Sequence, residues 1–252
     1  MKTLNYKMIE RKLIVFDLDD TLLDTSDLYW RARSAFVKKL VEQGIDERIL
    51  IKEFERIDSI NMKTFGFSPK RYGKSMLATY ELFFNQLNSH VSEQIISDIK
   101  ACGRLILEEL PKPIDGAKTL LQWASEHYVL AMLTRGEDSF QREKLIKSGM
   151  FEYFDFIRVV PKKDANVFRE FLQDIGYSPK NTWVIGDSIK SDINPGIEVG
   201  ATCILYVYKH PHYYWIQDSE FYTIGYFYKV YSLYEIKKLL ESPSTFDMVT
   251  QV

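Results

Sequence analysis

Asp17 and Asp19 follow an apolar run, Leu13-Ile-Val-Phe16, and Thr21 comes two residues after them. A buried strand ordinarily ends in turn residues, so one aspartate there is unremarkable. A pair at i and i+2 projects to one side if strand geometry persists, so two carboxylates could flank one reacting group. One would act as nucleophile and the other as general acid and base. Taken alone, the pattern also fits a structural turn.

Three later segments add to it. Val129-Leu-Ala-Met-Leu-Thr-Arg-Gly136 ends an apolar run in a hydroxyl and a glycine. Such a terminus can hold phosphate oxygens through a side-chain O–H and exposed backbone N–H groups. Lys162 and Lys163 follow the run 156–160 and precede Phe168, so an ammonium can reach the same surface. Thr182-Trp-Val-Ile-Gly-Asp-Ser-Ile-Lys-Ser-Asp192 ends a further run in Asp187 and Asp192, suited to a hard cation that prefers oxygen ligands. Each segment alone has an ordinary structural reading; together they place acids, a hydroxyl and a base at successive strand ends.

The elements that must position these residues follow from hydrophobic spacing. Strand-length apolar runs recur at 13–16, 129–133, 156–160, 182–185 and 203–207, most followed by a helical pattern. This alternation predicts an α/β fold, a Rossmann-like parallel sheet with helices on both faces. Helices are predicted at 116–126, 140–147, 167–175 and 192–199, with Gly149, Gly176 and Gly200 closing the last three. The interval from Asp24 to Pro113 is too long for a crossover and reads as helix throughout: 26–43, 46–60, one starting at Ser68-Pro69 and running toward Leu87, and one capped by Ser92. The expected organisation is a Rossmann-like core of residues 1–24 and 113–252, with a four-helix cap domain of residues 25–112 inserted after the first strand. The aromatic-rich stretch from Tyr206 to Tyr234 reads as a further strand and helix packed on the core or at a subunit contact; a ligand platform is the other reading.

Composition narrows the function classes. The chain has 252 residues, with 33 basic and 35 acidic side chains intermixed and a net charge of -2. No basic footprint for nucleic acid or an anionic membrane is present, so neither partner is expected. The two cysteines, Cys102 and Cys203, lie in apolar patterns and read as buried thiols of a reducing compartment. The polar amino terminus leads into an apolar run far too short to span a bilayer, and it lacks a signal-peptide cleavage site. A cytoplasmic protein is the expectation. The histidines, including His210 and His212, show no zinc-site spacing.

With these residues in order, the sequence resembles the haloacid dehalogenase-like (HAD) hydrolase superfamily. Its four motifs match Asp17-Leu-Asp19-Asp-Thr21, the apolar strand ending in Thr134, the lysine of Lys162-Lys-Asp-Ala-Asn-Val-Phe168, and Gly186-Asp187-Ser-Ile-Lys-Ser-Asp192. The resemblance implies that Asp17 forms an aspartyl-phosphate while Asp19 protonates the leaving oxygen and then activates water. It also implies Mg²⁺ on Asp17, Asp187 and the backbone carbonyl of Asp19, with Asp192 in support. Thr134 would bind phosphoryl oxygens and Lys162 would neutralise their charge; two carboxylates and a phosphate dianion repel without such cations.

Two departures stand out. Arg135 occupies the position where many relatives have Asn, and it either reaches phosphate or turns into a salt bridge. The prolines usual around the motif-three lysine are replaced by Lys163 and Ala165. Counting back from Phe168 favours Lys162, with Lys163 as the alternative. The implied activity is hydrolysis of a small phosphorylated metabolite by a monomer or weak homodimer. A phosphomutase or phosphotransferase would use the same residues, while a dehalogenase would not need Asp19, and a non-catalytic binding protein would be expected to lack one of the aspartates. In the inserted region, Arg71 and Lys74 either contact a second anionic group of the substrate or belong to a solvated helix face.

Overall fold

The computed structural model of the chain describes residues 11–86, 93–208 and 223–250. The cap at Ser92, the pair His210 and His212, and the aromatics at 213–215, 221 and 222 lie outside the described residues, as does the stretch before Arg11. From β1 (Leu13–Phe16) the chain turns into a short β2 (Leu23–Asp24) and leaves for four helices: α1 (Thr25–Val41), α2 (Glu47–Phe65), α3 (Pro69–Gln86) and α4 (Glu93–Glu108). It returns through β3 (Lys112–Pro113), which pairs antiparallel with β2. Then follow α5 (Ala117–His127), β4 (Val129–Arg135), α6 (Asp138–Lys147), β5 (Phe156–Val160), α7 (Ala165–Ile175) and β6 (Thr182–Gly186). The chain continues through α8 (Asn194–Val199), β7 (Thr202–Tyr206), β8 (Phe227–Val230), α9 (Leu233–Glu241) and β9 (Met248–Val249). Two compact units result, one of residues 1–25 with 112–252 and the other of residues 26–111.

The first unit is built on a seven-stranded sheet in the order β5-β4-β1-β6-β7-β8-β9. All neighbours are parallel except the edge pair β8 and β9. β1 is buried on every residue because it serves two cores at once. Ile14 and Phe16 join an apolar cluster with α5, α6 and α9, while Leu13 and Val15 join another with α7. That division follows from side chains alternating across the pleat. The chain fills one side of β1 with β4 and β5 before crossing to β6 on the other. The carboxyl ends of β1, β4 and β6 therefore meet at a topological switch point, where open α/β sheets bind ligands.

In the helical unit, Asp46 caps α2 by accepting from the Ile49 backbone N–H at 3.0 Å. Phe36, Phe54 and Tyr72 pack in its interior, the first pair tilted and the second edge to face, with ring centroids 5.4 and 5.1 Å apart. α3 and α4 cross at Gly73 and Gly103, and a Cβ added to Gly103 would sit 2.7 Å from the Gly73 Cα. Backbone would have to move to admit it. A Cβ on Gly73 meets nothing closer than 3.4 Å. Gly103→Ala is therefore expected to destabilise the protein by about 1–3 kcal/mol, and Gly73→Ala to be near neutral, because relief from glycine's backbone entropy offsets a tight contact. Urea unfolding followed by far-UV circular dichroism measures both; equal effects would contradict the asymmetry.

Candidate active site

The β1–β6 ladder runs one residue past β1, since the Asp17 N–H donates to the Ile185 carbonyl at 2.9 Å. The chain then folds back tightly. The N–H groups of Leu22 and Leu23 both donate to the Leu18 carbonyl, at 2.9 and 3.0 Å. Asp20 sits at φ 58°, a left-handed conformation that aspartate tolerates better than most residues. Leu18, Leu22 and Leu23 are fully buried and anchor this turn. Strand alternation therefore stops at Asp17, and Asp17 and Asp19 have separate sets of partners.

Asp17 belongs to an acidic group with Asp187 and Asp192, whose carboxylate oxygens lie within 4.8 Å of one another. Asp187 directly follows β6, and Asp192 lies in a single π-helical turn, Ile189–Ile193, where a helix from Asp192 onward was expected. Asp192 accepts the Ser188 N–H at 3.2 Å. Gly186 makes this approach feasible, because a Cβ there would lie 2.3 Å from the Asp192 Cγ. Thr21 Oγ1 is 3.4 Å from Asp17 Oδ2 and 3.5 Å from Asp187 Oδ1.

The ammonium in this group belongs to Lys163, which corrects the count that favoured Lys162. Lys163 Nζ is 2.5 Å from Asp17 Oδ1 and 2.5 Å from Asp192 Oδ1. Its side chain is 2% exposed, whereas that of Lys162 is 76% exposed and pairs with Asp164 at 3.0 Å. The reason is local. Asp164 is extended and caps α7 through the Val167 N–H at 3.1 Å, so the residues before it alternate sides and only Lys163 faces inward.

The Lys163 ammonium lies among these three carboxylates. Burial pushes the Asp17 carboxyl up to about 7; Lys163 pulls against this, and Asp192 and Asp19 add to it. Burial, then repulsion from Asp17, Asp20 and Asp192, also raises Asp187 well above the ordinary range. Burial alone would depress the Lys163 ammonium, but Asp17 and Asp192 outweigh it and raise its pKa.

Asp19 is held differently. Its Oδ1 accepts from Thr25 Oγ1 at 2.5 Å and from Lys144 Nζ, and its Oδ2 accepts from Gln141 Nε2 at 2.7 Å. Burial pushes this carboxyl up, yet Lys144, Thr25 and Gln141 together hold it below the usual range. Gln141 Nε2 also reaches Thr134 Oγ1 and the Arg135 carbonyl, each at 2.9 Å. The sequence reading missed Thr25, Gln141 and Lys144. A signal for the last two existed: they share a helix face with buried Leu145, so two polar residues occupy an inward stripe.

The remaining candidates are placed as follows. Thr134 is buried in β4, and Arg135 ends that strand half-buried. In the helical unit, Arg71 is buried and paired with Asp58, which also accepts from Ser75 Oγ at 2.7 Å. Of the two readings for Arg71, the solvated helix face is corrected: its guanidinium is buried and paired with a buried carboxylate. Lys74 lies over the Phe65 ring, 4.4 Å from its centroid. No described helix is long and apolar enough to cross a membrane.

A family model described as haloacid dehalogenase-like hydrolase matches residues 11–200. A glyceraldehyde 3-phosphate phosphatase of Pyrococcus furiosus is 24% identical over 234 residues, covering 90% of each chain. A pyrimidine 5'-nucleotidase, PynA, of Streptococcus pneumoniae is 28% identical over 213 residues, covering 80% of this chain and 85% of that one. Among solved structures, a haloacid dehalogenase-like family hydrolase from Xanthomonas campestris superposes with a TM-score of 0.75 at 23% identity, covering 92% of this chain and 91% of that one.

Lys163→Met would remove the ammonium from three crowded carboxylates. Measured by urea unfolding at pH 8 in chelator, it is expected to cost about 3–5 kcal/mol, whereas Lys162→Met leaves the midpoint in place. A reversed order of the two effects would refute the assignment of the buried ammonium.

Proposed function

The chain belongs to the haloacid dehalogenase-like hydrolases and is a phosphoric monoester hydrolase; we propose that Asp17 is its nucleophile, Mg²⁺ its cofactor and a small phosphomonoester its substrate. The observation that carries this reading is the gathering of Asp17, Asp187 and Asp192 around Lys163. A divalent cation would offset the repulsion among these carboxylates, and an all-oxygen donor set suits Mg²⁺. Asp17, Asp187 and Asp192 would hold it, with the Asp19 backbone carbonyl as a further candidate. When bound, the ion acts as a Lewis acid that draws electrons from the phosphoryl group and screens it from the carboxylates.

The side chains divide the remaining work. An Asp17 carboxylate oxygen attacks phosphorus, and the bond from phosphorus to the leaving oxygen breaks as Asp19 supplies a proton to that oxygen. Asp19 then takes a proton from the water that attacks the aspartyl-phosphate, releasing phosphate and restoring Asp17. Lys163 keeps a positive charge against Asp17 throughout. Because Gln141 donates to Thr134 Oγ1, the hydroxyl proton of Thr134 is left to donate to a phosphoryl oxygen. Arg135, beside it, is a second candidate for that contact. The names of the relatives, one a triose phosphate phosphatase and the other a nucleotidase, support a small monoester without selecting one.

Release of p-nitrophenol from p-nitrophenyl phosphate is expected with Mg²⁺ and not with excess chelator, and Asp17→Asn is expected to lower it by at least about 1,000-fold. Activity unaffected by either change would remove the proposed mechanism. The pH dependence of Mg²⁺ affinity follows from the raised Asp17 carboxyl. Below about 7 the proton competes with the ion, so affinity by calorimetry should strengthen as pH rises from about 5 to about 8 and level off above. A flat profile would mean that the Asp17 carboxylate is not a ligand.

A further inference from the structure

Two buried polar side chains on α6, Gln141 and Lys144, have no part in the reaction just outlined except through their neighbours. Both are costly where they sit, since α6 packs Leu145 into an apolar cluster and an amide or ammonium beside it must be hydrogen-bonded to be tolerated. Both meet that condition on Asp19. A carboxylate offers about four lone-pair positions. Lys144 and Thr25 occupy two on Oδ1 and Gln141 occupies one on Oδ2, which leaves one to carry a proton. Gln141 does more than hold Asp19. Its amide nitrogen has two hydrogens and three acceptors within 2.9 Å: Asp19 Oδ2, Thr134 Oγ1 and the Arg135 carbonyl.

We propose that Gln141 and Lys144 are positioning residues, a two-point clamp that fixes the Asp19 carboxylate for proton transfer and locks it in register with Thr134. The clamp ties the turn after β1 to the end of β4 through a helix anchored by Leu145, so the proton-transfer oxygen and the proposed phosphate-binding hydroxyl move as one body. Geometric tolerance in proton transfer is narrow, which is why such supporting contacts matter. The proposal rests on the phosphatase reading above.

Two substrates of similar shape separate this role from simple packing. p-Nitrophenyl phosphate expels a stable anion and needs little help from an acid, whereas benzyl phosphate must have its leaving oxygen protonated. In Mg²⁺, Lys144→Met and Gln141→Met are each expected to lower kcat/KM for benzyl phosphate at least about 10-fold more than for p-nitrophenyl phosphate, with Asp19→Asn shifting the ratio in the same direction. Circular dichroism and melting report the fold of each variant, and if Lys144→Met does not fold, Gln141→Met carries the comparison. Equal losses on both substrates in a folded variant would overturn the clamp while leaving the phosphatase reading intact. Full activity of Asp17→Asn would instead overturn that reading.

Discussion

Like charges forced together in a desolvated place set the terms for everything around them. Asp17, Asp187 and Asp192 bring their oxygens within 4.8 Å of one another, and Lys163 bridges two of them from the start of α7. No folded chain gathers carboxylates this way without help from its backbone. Here the help is specific. The ladder between β1 and β6 fixes Asp17, Gly186 leaves space for the Asp192 side chain, and the π-helical turn presents Asp192 to the Ser188 N–H. The parallel sheet supplies the common edge at which these pieces converge.

Two residues along the chain, the environment reverses. Asp17 is pushed up by burial and by its acidic neighbours, while Asp19 is held down by Lys144, Thr25 and Gln141. Environments that separate paired carboxyls in this way are how one fold assigns different tasks to the same functional group. A divalent cation at the acidic group would compete with the proton for Asp17.

Much of this was legible in the sequence, for physical reasons. The fully apolar run Leu13–Phe16 reads as a strand buried on both faces, and Asp17, Thr134, Asp187 and Asp192 follow because strand ends are where such a sheet exposes polar groups. The inserted helices show through their spacing, with Asp46 capping α2. What was not legible depended on local direction rather than on residue type. Whether Lys162 or Lys163 faces inward is decided by the extended residue Asp164, and the fold-back after β1 turns on a left-handed Asp20. Gln141 and Lys144 were missed because a polar residue on a short helix reads as solvent-facing unless its partner, more than a hundred positions away, is known. Arg71 was singled out, but its commitment to Asp58 on the preceding helix was not legible.

The β2–β3 pairing has a consequence for how such a molecule can diversify. Leu23 and Asp24 face Pro113 and Lys112 across a two-residue antiparallel ladder, so the chain departs for its helical insertion and comes back at one spot. A segment whose two ends are neighbours can be lengthened, shortened or exchanged as a cassette without rethreading the sheet. Heredity can therefore rewrite whatever the insertion recognises while the aspartates and Lys163, anchored in the other unit, stay in place.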